Sequence, residues 1–181
     1  DERIVVYLNK GNLEFEEKLL LRFPPVYGSS YFELADFNHD GKQDILYTCG
    51  DNADYSMVFK PYHGVYIFEN QGDNSFKQDY FFPINGAYKA LARDFDNDGD
   101  VDVLVMNMNE PPLLLRNDLK SDNNWLSIKL VGTKSNRSAI GSRVTIKIGE
   151  QKQMQEVTSQ TSYYSHNDFR QHFGLGKNKQ V

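Results

Sequence analysis

Two nine-residue stretches decide how this sequence is interpreted: DFNHDGKQD at residues 36–44 and DFDNDGDVD at residues 94–102. Both carry Asp or Asn at positions 1, 3, 5 and 9, and both carry glycine at position 6. Oxygen-bearing side chains at alternate positions of a tightly turned loop converge on one point, and glycine permits the sharp turn because it adopts positive φ at little cost. Calcium takes about six to eight oxygen ligands, so each stretch predicts one calcium site.

The predicted ligands occupy positions 1, 3, 5, 7 and 9 of each loop, with position 7 contributing its backbone carbonyl. They are Asp36, Asn38, Asp40, Lys42 and Asp44 in the first loop, and Asp94, Asp96, Asp98, Asp100 and Asp102 in the second. The second loop has Asp96 where the first has Asn38, so we expect it to bind Ca²⁺ more tightly. Without a cation the crowded carboxylates would repel one another, and calcium is therefore expected to stabilise the fold.

Other interpretations of the loops are also open. Asp and Asn are common in surface loops where they satisfy only nearby backbone N–H groups, and magnesium is a rival ion, although it prefers near-octahedral geometry. An EF-hand is disfavoured because its acidic position 12 is Tyr47 or Val105 here. We expect Phe37 and Phe95, at position 2, to point into a core, and His39, at position 4, to face solvent.

The sequence around the loops repeats itself. VVYLNKGNLEF from Val5 matches VYIFENQGDNSF from Val65, ELADFNHDGKQDILY matches ALARDFDNDGDVDVLV, and LLLRND from Leu113 begins a third, partial copy. Short apolar runs between Gly, Asn and Asp turns predict β-strands, with DILYTC and VDVLVMN as inner strands covered on both faces. A repeat of this length is typical of propeller blades or solenoid units.

The character of the sequence changes at Asn123. The alternating runs WLSIKL and RVTIKI, separated by turn residues, predict a second, antiparallel β module. We therefore predict an all-β fold: two propeller-blade-like antiparallel sheets with calcium loops over residues 1–122, and a small C-terminal antiparallel β module over residues 123–181 that is not complete. Residues 51–63 are predicted to form an exposed insertion, and the glycines of FGLG, residues 173–176, to lie in a turn.

Composition narrows the possible functions. The net charge of −5, without clustered Lys and Arg, disfavours nucleic-acid binding, and no apolar run approaches the roughly 20 residues of a membrane helix. The single cysteine, Cys49, cannot form an intrachain disulfide and is predicted to be buried. His166 with Asp168 could form a base and its orienting carboxylate, but no Ser or Cys stands in a nucleophile context. We therefore expect no enzyme activity.

The repeated unit, from Ile4 to about Asn117, resembles the FG-GAP-like or VCBS repeats of integrin-type β-propellers. NNWLSIKLVGTKSNRSAIGSRVTI, followed by HFGLG at residues 172–176, resembles the ASPIC/UnbV module that follows such repeats in secreted proteins. These resemblances imply an extracellular, calcium-dependent, non-enzymatic module that is secreted or on the cell surface. Propellers have about four to eight blades, so we expect a longer parent protein.

The function expected from this resemblance is binding or adhesion, with an extracellular protein or a carbohydrate as the ligand and two bound Ca²⁺ ions. The alternative is an accessory carbohydrate-binding domain of a polysaccharide-acting enzyme. Flat aromatic faces suit sugar rings, and the candidate side chains are Tyr55, Tyr62, Trp125, Tyr163 and Tyr164. Neither interpretation involves nucleic acid or membrane insertion, and the sequence does not define the oligomeric state.

Overall fold

The structure is a computed structural model that describes residues 1–50, 60–108, 110–160 and 167–181. These residues form thirteen β-strands and a short 3-10 helix, Pro25–Tyr27, and the described residues contain no α-helix. The strands are β1 (Glu2–Gly11), β2 (Glu14–Phe23), β3 (Ser29–Ala35), β4 (Asp44–Cys49), β5 (Gly64–Gly72), β6 (Ser75–Pro83), β7 (Ala87–Arg93), β8 (Asp102–Asn107), β9 (Leu113–Leu115), β10 (Asn124–Lys129), β11 (Arg143–Ile148), β12 (Gln151–Glu156) and β13 (Arg170–Gly176). The predicted all-β class is confirmed.

The strands form several small sheets. The orders are β1-β2, β3-β4-β5-β6, β7-β8-β9, β10-β13 and β11-β12. The pairs β1-β2, β3-β4, β4-β5, β5-β6, β8-β9, β10-β13 and β11-β12 are antiparallel. Antiparallel sheets suit this sequence because its strands are short and separated by Gly- and Asn-rich turns. Within the described part of the chain, no helix is both long and apolar enough to cross a membrane.

Internal contacts divide the chain into two compact units. Unit 1 comprises Asp1–Ala35, Gln43–Ala92 and Val101–Asn117, and unit 2 comprises Asp36–Lys42, Arg93–Asp100 and Asp118–Val181. Unit 2 thus contains most of both acidic loops together with the C-terminal segment. The division of the sequence at residue 123 stays a prediction.

Two hairpins of unit 1 share local details that follow from their matching sequences. The β1-β2 turn has positive φ at Asn12 and Leu13, and the β5-β6 turn has positive φ at Asp73 and Asn74. Positive φ at both central residues is typical of the type I′ turn, whose twist matches that of the strands. In each hairpin an Asn-x-Gly sequence forms the same bond: Gly11 N–H donates to Asn9 Oδ1 at 2.8 Å, and Gly72 N–H donates to Asn70 Oδ1 at 2.9 Å.

The core of unit 1 lies on β4. All six residues of β4 are buried, as predicted for an inner strand covered on both faces. Phe23 at the end of β2 stacks on Tyr47 with ring centroids 4.1 Å apart and planes 1° apart. Cys49 is fully buried, as predicted, and loss of hydration raises the pKa of its thiol to about 11. This thiol is therefore a packing group and stays protonated at neutral pH.

The core of unit 2 uses alternate residues of its strands. Phe173 and Leu175 of β13 pack with Ile146 and Ile148 of β11. Successive side chains of a strand point to opposite faces, so the intervening residues of β13 lie on its other face. That other face carries Arg170, His172, Gly174 and Gly176.

Phe23→Ala is predicted to lower the free energy of unfolding by about 3–5 kcal/mol, because it removes a buried ring and leaves a cavity beside Tyr47. Phe15→Ala is the matched control: Phe15 lies on the same strand, and its exposed fraction is 57% against 6% for Phe23. The control should change the unfolding free energy by no more than about 0.5 kcal/mol. Guanidinium unfolding measures both, and equal losses would show that the stack is not a core contact.

Candidate metal-binding loops

The two acidic loops fold alike. Position 4 has positive φ in both (His39 59°, Asn97 65°), and so does the glycine at position 6 (Gly41 88°, Gly99 103°), which confirms the predicted turn. The side chain at position 3 accepts a hydrogen bond from the N–H of position 5, at 3.0 Å in the first loop and 3.2 Å in the second. The side chain at position 5 accepts one from the N–H of position 7, at 2.8 and 2.9 Å.

The aspartate that closes each loop is anchored in the same way. Asp44 begins β4 and Asp102 begins β8, and both are buried. Asp44 Oδ1 accepts a hydrogen bond from the N–H of Asn70 at 2.8 Å, and Asp102 Oδ1 accepts one from the N–H of Asn117 at 2.9 Å. Asn70 and Asn117 occupy matching positions in YIFENQ and LLLRND. The second copy of the repeat thus supplies the N–H donor for the first loop, and the third, partial copy supplies it for the second loop.

The second loop brings carboxylates together. Within this continuous nine-residue segment, one ligand oxygen from each of Asp94, Asp96 and Asp102 lies within 4.8 Å of the others. Asp94 Oδ1 is buried and has no hydrogen-bond partner among the described residues. A carboxylate oxygen that is removed from water without a partner destabilises the protein unless a cation or a proton compensates. This segment therefore has a set of oxygen donors, one of them buried without a hydrogen-bond partner, that suits a hard cation such as calcium.

Asp98 and Asp100, the other two predicted ligands of the second loop, lie outside that group of three. Asp98 Oδ1 accepts the hydrogen bond from the N–H of Asp100. Asp100 Oδ1 lies 3.7 Å from His39 Nδ1. The structure thus brings together the side chains of positions 1, 3 and 9. Coordination of the ion by the backbone carbonyl of position 7 stays a prediction.

The first loop directs its carboxylates to its own polar groups. Asp36 accepts hydrogen bonds from the N–H groups of Asp40 at 3.1 Å and Gly41 at 2.9 Å. Asp40 Oδ2 pairs with Lys42 Nζ at 2.6 Å, and Asn38 supplies the position 3 oxygen already described. The first loop therefore fits the Asx-turn interpretation as well as the calcium interpretation, whereas the second loop fits the calcium interpretation better.

Two expectations about the other loop side chains are wrong. Phe37 is buried as predicted, but Phe95 is 39% exposed. His39 is only 2% exposed and does not face solvent. The left-handed backbone at position 4 places its ring beside that of His172, with centroids 5.2 Å apart. Desolvation, with a smaller contribution from His172, lowers the pKa of His39 to about 4, so the ring is neutral at physiological pH.

Strand β13 contacts both loops within unit 2, which the sequence did not reveal. Arg170 donates to Asn97 Oδ1 and to the carbonyl of Asp94 at 3.4 Å. His172 Nε2 lies 2.9 Å from the carbonyl oxygen of Gly99. Gly174 lies within the strand and not in the predicted turn. Glycine is required there because a Cβ would overlap the carboxylate of Asp36. Gly176, with φ 57°, does begin a turn, and its N–H donates to the carbonyl of His39 at 2.8 Å.

The remaining candidates from the sequence have packing roles or lie outside the described residues. Tyr62 stacks on Tyr27 with centroids 4.8 Å apart, and Trp125 stacks on His172 at 5.4 Å. Asp168 pairs with Arg170 at 2.6 Å. The candidates outside the described residues are Tyr55, Tyr163, Tyr164 and His166, together with most of the predicted insertion.

Comparison with known proteins supports the C-terminal assignment. A model of the family described as ASPIC and UnbV matches residues 132–181, which include β11, β12 and β13. No curated protein matches the chain. The family match covers the C-terminal part alone, so the assignment of the preceding residues to FG-GAP or VCBS repeats stays a prediction.

Gly99→Ala is predicted to lower the free energy of unfolding by about 2–4 kcal/mol, because Ala is strained at positive φ and its methyl group would overlap the Trp125 indole. Gly149→Ala is the matched control, since Gly149 has φ 60° but open space around it. The control should lose only the backbone part, about 1–2 kcal/mol. Chemical unfolding of both variants tests this, and equal losses would show that Trp125 does not restrict position 6.

Proposed function

We propose that this chain is a calcium-binding β module of a secreted or cell-surface protein, and that residues 94–102 form its tighter calcium site. The observation that carries the proposal is the buried oxygen of Asp94, which has no hydrogen-bond partner in the described chain and lies in a group with Asp96 and Asp102. Ca²⁺ bound there would offset most of the charge of the three carboxylates and join the end of β7 to the start of β8.

The donors favour calcium over the alternatives. All of them are hard carboxylate or carbonyl oxygens, which suit Ca²⁺ and Mg²⁺ better than softer transition metals. A site with several protein oxygens in irregular positions favours calcium, since Mg²⁺ requires near-octahedral geometry and usually retains water ligands. Calcium sites of extracellular modules have Kd values of about 10⁻⁴ to 10⁻³ M. A partly exposed loop is sufficient for an affinity in this range.

The wider proposal concerns architecture and role. The shared Asn-x-Gly hairpins and the matching bonds of Asp44 and Asp102 support assignment of residues 1–122 to FG-GAP or VCBS-like propeller blades. The resemblance to these repeats, with the ASPIC and UnbV match, supports an extracellular location and a non-enzymatic role in binding or adhesion. The partner in this proposal is an extracellular protein.

Calorimetry is predicted to show two Ca²⁺ sites on the full chain, with the tighter one weakened in Asp96→Asn to about the affinity of the first loop, which has Asn38 at the same position. The substitution removes a charge from the group of three while keeping the side-chain shape. Asp73→Asn, the same change in the β5-β6 turn, is the control and should bind Ca²⁺ as the unchanged chain does. Calcium at about 100 times its Kd should also stabilise the fold by about 2.7 kcal/mol. Identical melting curves in calcium and in chelator would refute the proposal.

A carbohydrate ligand is the second candidate, and one feature of unit 1 favours it. An open cleft of 280 Å³ is lined in part by Tyr31, Phe32, Glu2 and Arg3. Phe32 is 51% exposed, and Glu2 accepts a hydrogen bond from the N–H of Ser29 at 2.9 Å. An exposed aromatic ring beside an acidic side chain can contact a sugar ring by its face and bind hydroxyl groups at its edge.

If the chain is a carbohydrate-binding domain, a glycan array should give binding that Phe32→Ala abolishes, because the substitution removes the exposed ring from the cleft. Phe15→Ala, which removes an exposed ring outside the cleft, should leave that binding unchanged. The absence of any bound glycan, or equal loss in both variants, would eliminate the cleft as a sugar site.

A further inference from the structure

The face of β13 that is turned away from the core contacts both acidic loops. Gln171, Phe173 and Leu175 are buried on one face. The alternate residues contact the loops. Arg170 lies at the second loop, Gly174 and Gly176 lie at the first, and His172 contacts Gly99 of the second loop and the ring of His39 in the first. One strand of seven residues therefore reaches two loops that lie 58 residues apart in the sequence.

At the second loop, β13 binds positions 1, 4 and 6. Arg170 is held by Asp168, whose Oδ2 accepts from the guanidinium Nε at 2.7 Å. In that orientation it donates to the carbonyl of Asp94 and to Asn97 Oδ1. The carbonyl of Gly99 can only accept, so His172 Nε2 carries the hydrogen of that bond. The backbone on either side of the ligand Asp98 is thus fixed by β13.

At the first loop, β13 binds positions 1 and 4. The lack of a side chain at Gly174 lets the Asp36 carboxylate lie against the strand backbone. Gly176 N–H holds the carbonyl of His39 at 2.8 Å. Gln153 of β12 contacts both β13 and the first loop. Its Nε2 donates to the carbonyl of Gly174 at 2.7 Å, and it packs so closely on Gly41 that a Cβ there would lie 3.0 Å from it.

We infer that β13 positions both loops for ion binding and couples them, so that an ion in the first loop raises the affinity of the second. This inference rests on the proposed calcium function. An ion orders the loop that holds it, and a loop ordered against β13 fixes that strand against the other loop. The second ion then binds with a smaller loss of conformational entropy, which is positive cooperativity. Arg170 is the positioning residue of the second loop.

Trp125 provides a reporter for the second loop. It is the single tryptophan of the chain, it stacks on His172, and it lies against Gly99 at position 6 of that loop. Its fluorescence should therefore follow the filling of the second loop during a Ca²⁺ titration of the full chain, while calorimetry counts both sites.

The test disables the first loop and follows the second. Asp40→Ala removes a predicted ligand of the first loop whose carboxylate pairs with Lys42 and not with β13. Coupling predicts that the Ca²⁺ midpoint of Trp125 fluorescence rises about five-fold or more in this variant. A midpoint unchanged within about two-fold, with calorimetry showing that Ca²⁺ still binds the second loop, would overturn the coupling.

Two further variants test positioning. Arg170→Gln should raise the same midpoint by about five-fold or more, whereas Arg143→Gln, which breaks the exposed pair with Glu156, should not. Unfolding in chelator is measured for both variants, because Arg170→Gln also loses the bonds to Asn97 and to the carbonyl of Asp94 and should destabilise the apo chain more. Gly174→Ala should weaken Ca²⁺ binding at the first loop. If the Gly174→Ala variant does not fold, Arg170→Gln still tests positioning by β13.

The outcomes separate this inference from the proposed function. If calorimetry detects no Ca²⁺ binding to the unchanged chain, the proposed function fails and the inference fails with it. If both sites bind but Arg170→Gln behaves as Arg143→Gln does, positioning by β13 is wrong and the calcium function stands.

Discussion

The mutual repulsion of carboxylates in a tightly turned loop is the constraint on which this structure depends. The positive φ values at positions 4 and 6 and the Asx-type hydrogen bonds fold both nine-residue loops alike, and in the second loop oxygens of Asp94, Asp96 and Asp102 approach one another within 4.8 Å. In the first loop, N–H groups and Lys42 compensate the carboxylate charge. In the second loop, the buried oxygen of Asp94 has no such partner among the described residues. This difference between otherwise matching loops is why the calcium proposal centres on residues 94–102.

The features that sequence alone predicted are local ones. The alternating ligand positions, the glycine at position 6, the buried run of β4 and the burial of Cys49 depend on spacing and composition over a few residues. The burial of His39 was not predicted because it results from His172, more than a hundred residues later in the chain. An isolated position 4 in a polar loop gives no sign of such a contact.

Strand β13 was missed because its motif has two glycines, which are typical of turns. A signal was nevertheless present in RQHFGLG, since Phe173 and Leu175 alternate with His172 and Gly174 as the two faces of a strand require. Close approach of another chain segment is a second reason for glycine in a strand, and the Asp36 carboxylate supplies that reason at Gly174. The residues matched by the ASPIC and UnbV family thus include a strand whose polar face contacts both acidic loops.

The central claim is that the carboxylates of residues 94–102 converge because they share a divalent cation. A crystal structure determined from crystals grown with CaCl₂ tests it most directly. The account predicts an ion with Asp94 Oδ1 and oxygens of Asp96 and Asp102 at about 2.3–2.6 Å. A loop with no ion, in which Asp94 Oδ1 binds water and the carboxylates point away from one another, would contradict it.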